Sequence, residues 1–263
     1  MAPRPVSGGR DVASDGAQIA NWFSNVPTCT RFLLASTSAV SVAAGLHLVS
    51  PYYFAFIWTG IWTKFQIWRL LTSVLLFPLD LHGLLCVIML YQYSNELERQ
   101  EFVGRTADYA WFLIFCTSIM FPGHWLSGSI FFAQGLLMLV TTLWALNRPS
   151  TIVKFMFAFQ FPARYLPYVL MGIEYLFVLH SFPYSMAYGW GAAQLYYYIA
   201  VDLPARGGIN YIPTPQLVYR VLGQVRRPNA RTRYGSTGVA TTSNPIHQTP
   251  GGGHFWGAGR RLG

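Results

Sequence analysis

The chain has 263 residues, of which 53% are hydrophobic and 17% aromatic but only 10% charged. A soluble domain carries about a quarter charged residues, so this composition excludes an ordinary water-soluble fold. The net charge of +9 would suggest nucleic acid in a soluble protein, but here the basic residues gather in expected loops and the tail, where they read as topology signals and membrane-surface contacts.

The apolar side chains come in long blocks, as in lipid-facing helices, and the length suits one bundle rather than two domains. Cys29, Cys86 and Cys116 are an odd number without metal spacing, so neither a disulfide framework nor a metal site is expected. Residues 1–18 are polar and small, which does not fit a cleavable signal peptide, and insertion is expected to depend on internal spans.

Residues 1–20, rich in Gly, Pro, Ser and Asp, are expected to be disordered. A membrane domain over 21–204 follows, opening with Asn21-Trp22-Phe23 and Val26-Pro27 at the interface, where Trp is favoured. The first span, Phe32 to about Val49, is rich in small residues that allow close helix packing. The aromatic stretch 51–64 reads as an interfacial belt, and Ile67 to Phe77 has the length of a re-entrant or interfacial segment. Pro78 breaks that run, and Asp80 is placed to cap a second span from Leu81 to about Tyr93. The third span, Ala107 to Phe121, is short, with Pro122-Gly123-His124 turning the chain into a fourth from Leu126 to Leu146. The fifth runs from about Tyr165 to Leu179 and the sixth from Tyr184 to Val201. Residues 205–263 are expected to be disordered apart from a short helix at Pro215–Leu222.

With six spans, sixteen of the 18 Lys and Arg fall on one side, leaving only Lys64 and Arg69 on the other. The positive-inside rule then places both termini in the cytosol.

Several stretches together resemble the Derlin family, the catalytically inactive relatives of rhomboid proteases in the endoplasmic reticulum membrane. Phe65-Gln66-Ile67-Trp68-Arg69-Leu70-Leu71-Thr72 is similar to the family's Trp-Arg motif in a long first lumenal loop. Leu97-Glu98, Phe102 and Gly104-Arg105-Thr106-Ala107-Asp108-Tyr109 resemble its second-to-third helix connection. Pro162, Leu166-Pro167 and Leu170-Met171-Gly172 resemble its fifth-helix entry. The resemblance spans about residues 20–212 and the last dozen. It implies an all-α, rhomboid-like bundle of six transmembrane helices with a partly embedded first loop and a disordered cytosolic tail.

The sixth span departs from the family's Gly-x-x-x-Gly. Gly189 is followed by Ala193, which still permits backbone contact, and Gln194 stands where active rhomboids carry the catalytic His. Ala133-Gln134-Gly135, at the position of the rhomboid nucleophile turn, has no serine. A Ser-His dyad needs both groups within hydrogen-bond reach, so no catalytic residue is assigned. Ser127, Ser129, His124 and His180 near helix ends read as caps, packing or interfacial residues rather than a rebuilt dyad.

Phe255-Trp256-Gly257-Ala258-Gly259-Arg260-Arg261-Leu262 resembles the motif by which Derlins bind the N-terminal domain of the hexameric AAA unfoldase, valosin-containing protein. Phe255 and Leu262 can fill pockets while the glycines lie flat, and ordering such a segment points to an affinity on the order of micromolar. Trp68 and Arg69 are expected to hold the first loop to the bundle, Arg69 by donating to that loop's carbonyls, rather than to act as an interfacial anchor and a snorkelling charge. Glu174 lies midway along the fifth span and should face a wet cavity, pair with a group such as Gln194, or be protonated. Gln134, Glu174 and Gln194 are the candidate cavity residues.

The resemblance implies a role in endoplasmic-reticulum-associated degradation. Misfolded clients would cross a bilayer thinned by short spans, with the unfoldase supplying work and a membrane ubiquitin ligase complex and a homo-oligomer as further partners. No cofactor is implied. The other readings are an active intramembrane serine protease and a six-span transporter. The latter would usually show internal repeats, and none is visible.

Overall fold

The computed structural model describes residues 10–57, 65–66, 68–128, 131–155, 159–179, 182–207 and 211–224, and it is predominantly helical. Lys64, Ser129, His180 and the tail motif at 255–262 lie outside the described residues, as does the His124 side chain.

Chain order runs α1 (Arg10–Asn25), α2 (Thr28–Gly45), α3 (Trp68–Leu75), α4 (Leu81–Glu96), α5 (Thr106–Ser127), α6 (Ala133–Asn147), a hairpin β1 (Ile152–Phe155) and β2 (Phe159–Pro162), α7 (Leu166–Ile173), α8 (Tyr184–Tyr197) and α9 (Gln216–Val221). Wider π turns extend α4 over Leu97–Glu101, α7 over Glu174–Leu179 and α8 over Tyr198–Asp202.

The core is built round α6. Every residue from Gly135 to Ala145 is buried, as expected of a helix that is apolar all round. It packs on α8 along one side and on α4, α3 and α7 elsewhere. The α6–α8 seam rests on two glycines. A Cβ on Gly189 would lie 2.2 Å from the Gly135 carbonyl oxygen, so the two backbones touch. Ala193, one turn on, is fully buried.

Helix starts are capped where the chemistry allows. The Asp80 carboxylate accepts from the Gly83 N–H at 2.6 Å, and α4 begins at Leu81 as the cap residue predicts. Pro27 precedes α2 and supplies no side-chain cap. The buried Glu98 does so from the end of α4, accepting from the N–H groups of Cys29 (3.1 Å) and Thr30 (2.8 Å) and from the Thr30 hydroxyl (2.9 Å). A carboxylate there also meets the positive end of the helix dipole.

Three expectations change. Helix α1 covers residues 10–25, where composition pointed to disorder up to residue 20. The chain does not turn at Pro122, which lies inside the 22-residue α5. A proline costs only one backbone bond, and Gly123 lets the ring of Tyr188 from α8 close onto the helix at that point. The shorter helix is therefore the next one. At 1.5 Å per residue α6 is about 22 Å long and α5 about 33 Å, against a hydrocarbon core of about 30 Å. Lastly, the chain is not wholly α: Ile152–Phe155 and Phe159–Pro162 pair as antiparallel strands, Val153 opposite Phe161 and Lys154 opposite Gln160. Among the described residues, α5 is the one helix long and apolar enough to cross a membrane on its own; α6 is apolar but shorter.

Candidate functional site

The first loop is tied down before it reaches α3. Arg69 is buried at the start of that helix, with its Nη1 donating to the carbonyls of Tyr52 (2.7 Å) and Ala55 (2.8 Å) and its Nε to Gln66 Oε1 (2.5 Å). One planar fork thereby holds a loop turn fourteen to seventeen residues upstream. Trp68 beside it is 55% exposed and takes no part in that network. Phe56 adds an apolar anchor, its ring centroid 4.9 Å from Phe132 and 5.6 Å from Phe121. Two further bonds seat the segment on its neighbours: the Phe132 N–H donates to the Ser73 carbonyl, and the Phe77 N–H to the Ser41 hydroxyl.

Beside this loop lies a cavity of about 830 Å³. Its walls come from the end of α2 (Ser41, Gly45), the segment after α3 (Leu76 to Asp80), the start of α6 (Ala133, Gln134) and the start of α8 (Phe182 to Ser185). The lining is mainly apolar with a few converging polar groups, the ordinary make-up of a binding site. Ser185 also borders the cavity, but its hydroxyl is buried toward Gly135 at the α6–α8 seam, with no hydrogen-bond partner among the described residues.

Glu174 sits behind Gln134, only 1% exposed. It accepts a short hydrogen bond from the Gln134 amide, and its other oxygen lies 3.0 Å from His82 Nε2 on α4. The same imidazole is 3.7 Å from Cys86 Sγ. This cluster joins α4, α6 and the first π turn after α7 through side chains alone. Such π turns recur at functional sites.

Two of the three polar residues expected in a cavity, Gln134 and Glu174, thus come together, and Gln194 does not join them. It lines a separate pocket of about 270 Å³ with Thr142, Arg164, Tyr168 and Trp190. Nine residues of helix separate it from Ser185, about 13 Å along the axis, so it cannot serve as the partner of Glu174. His82 and Ser185 were not among the expected site residues. A histidine two positions after a helix cap, inside an apolar run, was the available signal for the first. Nothing local marks Ser185. Gly189 and Ala193 lie on α8, Gly189 at its seam with α6. Ser127 ends α5, and no group of three or more His, Cys, Asp or Glu able to hold a metal occurs among the described residues.

Residues 26–216 match the Der1-like family. Among curated proteins the chain is 36% identical over 257 residues to Derlin-1 of Bos taurus and 35% identical to Derlin-1 of Homo sapiens. Each match covers 94% of this chain and 99% of the relative. Derlin-1 of Caenorhabditis elegans is 28% identical, with 93% and 98% covered. The chain belongs to the Der1-like family.

Proposed function

We propose that the protein is a non-proteolytic Derlin-type factor of endoplasmic-reticulum-associated degradation that helps misfolded proteins pass to the cytosol. In this reading it is a six-span, rhomboid-like protein of the endoplasmic reticulum membrane with both termini cytosolic. The observation that carries the reading is the cavity bounded by the Arg69-anchored loop, with Gln134 and Asp80 among its lining residues. A client segment leaving the lumen would meet polar groups there instead of lipid. The shortness of α6, against a core of about 30 Å, favours a locally thinned bilayer and lowers the cost of moving polar chain through it.

Work would come from the hexameric AAA unfoldase, valosin-containing protein, held at Phe255, Trp256, Gly257, Gly259, Arg261 and Leu262. The matches to relatives cover more of the chain than the family's 26–216, which supports assigning a role to the tail. A membrane ubiquitin ligase complex and further copies of the chain complete the proposed assembly. A protease is disfavoured by Gln194 and Gln134 at the positions where active rhomboids carry chemistry, and by the absence of any partner on Ser185 that could activate it.

The test is a chase of a misfolded client in cells lacking the protein. Wild type restores degradation; Arg69→Ala and a chain ending at residue 243 should not. A peptide covering Asn244–Gly263 should bind the unfoldase's N-terminal domain with an affinity on the order of micromolar, and Phe255→Ala or Leu262→Ala should abolish that binding. Full client degradation by the truncated chain would overturn the recruitment step, and labelling of the purified protein by a covalent serine probe would overturn the non-proteolytic reading.

A further inference from the structure

After the membrane helices the chain folds back on itself. Residues 211–224, with α9 at their centre, lie against the start of α5, where Asp108 is only 8% exposed. Both carboxylate oxygens of Asp108 are engaged. Oδ1 accepts from the Thr214 hydroxyl and the Tyr219 hydroxyl, each at 2.6 Å, while Oδ2 takes the Arg105 guanidinium at 2.6 and 2.7 Å. Gln224 closes the strap, its side-chain oxygen accepting from the Ala107 N–H at 3.0 Å. Burial pushes the Tyr219 phenol above its ordinary value, and the bond to Asp108 adds to that shift, so it remains a donor across the neutral range.

We propose that Thr214 is a phosphorylation site for a proline-directed serine/threonine kinase, and that its modification unlatches this strap from Asp108. Thr214 is half-buried and followed directly by Pro215. Local opening of the strap presents it in the extended conformation that a following proline favours. In the transfer, the Thr214 oxygen attacks the γ-phosphorus of ATP and a new P–O bond forms. The bond to the β-phosphate oxygen breaks, ADP leaves, and the hydroxyl proton passes to the kinase. The product has lost the donor that Asp108 needs and carries about two negative charges next to a carboxylate, so it cannot re-dock. Among the described residues Arg105 is the basic side chain paired with Asp108, and it is already held by Oδ2. The modification thus traps the open strap, a population shift rather than a new contact. The 39 residues that follow would then leave the membrane domain from residue 207 instead of from 224. The cytosolic placement of this strap rests on the function proposed above. The purified protein tests the latch without it.

The experiment uses the full chain in nanodiscs, treated with a proline-directed kinase and ATP, beside a peptide of residues 208–224. Ser50 and Thr249, which also precede prolines, are replaced by Ala so that Thr214 is the one Ser/Thr-Pro target that remains. Phosphate is expected on Thr214 in the full chain, absent in Thr214→Ala. Amide exchange across 211–224 should then rise by at least about tenfold, as loss of one charge-assisted bond produces. Asp108→Asn should give the same rise without phosphate. Labelling of the peptide but not the full chain would overturn the proposal, as would no labelling of either. So would exchange that stays unchanged or slows in the phosphorylated protein, since the phosphate would then be docking on Arg105.

Discussion

Arg69 and Glu174 are both buried charges in an apolar chain, 8% and 1% exposed, yet they are satisfied in opposite ways. Arg69 bonds backbone carbonyls of its own loop and the side chain three residues before it. Glu174 relies on side chains 40 and 92 residues away, on two other helices. The first arrangement is a local brace, and it survives as long as the loop does. The second exists only when three helices are in place, and it relaxes when any one of them moves. A rigid brace next to a conditional cluster suits a protein whose cavity must admit unrelated segments while its first loop keeps its shape.

Five substitutions would break or sharpen this contrast. Arg69→Ala removes three charge-assisted bonds and leaves two carbonyls unpaired; we expect a loss of about 3 kcal/mol or more, read as detergent unfolding, with early protease cleavage in 51–66. Arg69→Lys should recover only part of it, because one ammonium cannot span the fork. Gly189→Ala acts on Gly135, next in sequence to the Gln134 that Glu174 holds. Its methyl would press on the Gly135 backbone and part α8 from α6, at about 1–3 kcal/mol. Cysteine crosslinking between positions 134 and 174 should then fall while the first loop stays protease-resistant. Glu174→Ala should cost about 1–2 kcal/mol in the same unfolding assay, since it strips the Gln134 amide and His82 of their acceptor. Glu174→Gln keeps the shape and removes the charge, and the change should stay within about 1 kcal/mol of zero. If Glu174→Gln proved as damaging as Arg69→Ala, the cluster would be a brace too and the contrast would fail.

What could be read beforehand follows the same division. The Asp80 cap and the small residues Gly189 and Ala193 announce themselves through neighbours one to four residues away. Pro122 misleads because a proline ends most helices in water. In α5 the helix runs on through it, with the Tyr188 ring packed at Gly123, a contact that no local pattern shows. The strands Ile152–Phe155 and Phe159–Pro162 have a local signal in Ile152-Val153 and Phe159-Gln160-Phe161, whose side chains favour strands, although the family resemblance implies an all-α bundle. Glu98 as the cap of α2 and His82 as the partner of Glu174 depend on residues about 70 and 90 positions apart, so their roles arise only with the packed bundle. Of the alternatives for Glu174, pairing with a polar group is the one seen, through Gln134 and not Gln194, which was the example the sequence offered.

The central claim is that clients pass by the cavity beside the braced loop. The most direct measurement places a photoactivatable residue at Gln134, and in a second chain at the exposed Ile114 of α5, then arrests a misfolded client by inhibiting the unfoldase. The account predicts client adducts from position 134 and few from 114. Equal crosslinking at both positions, or none at 134, would contradict it.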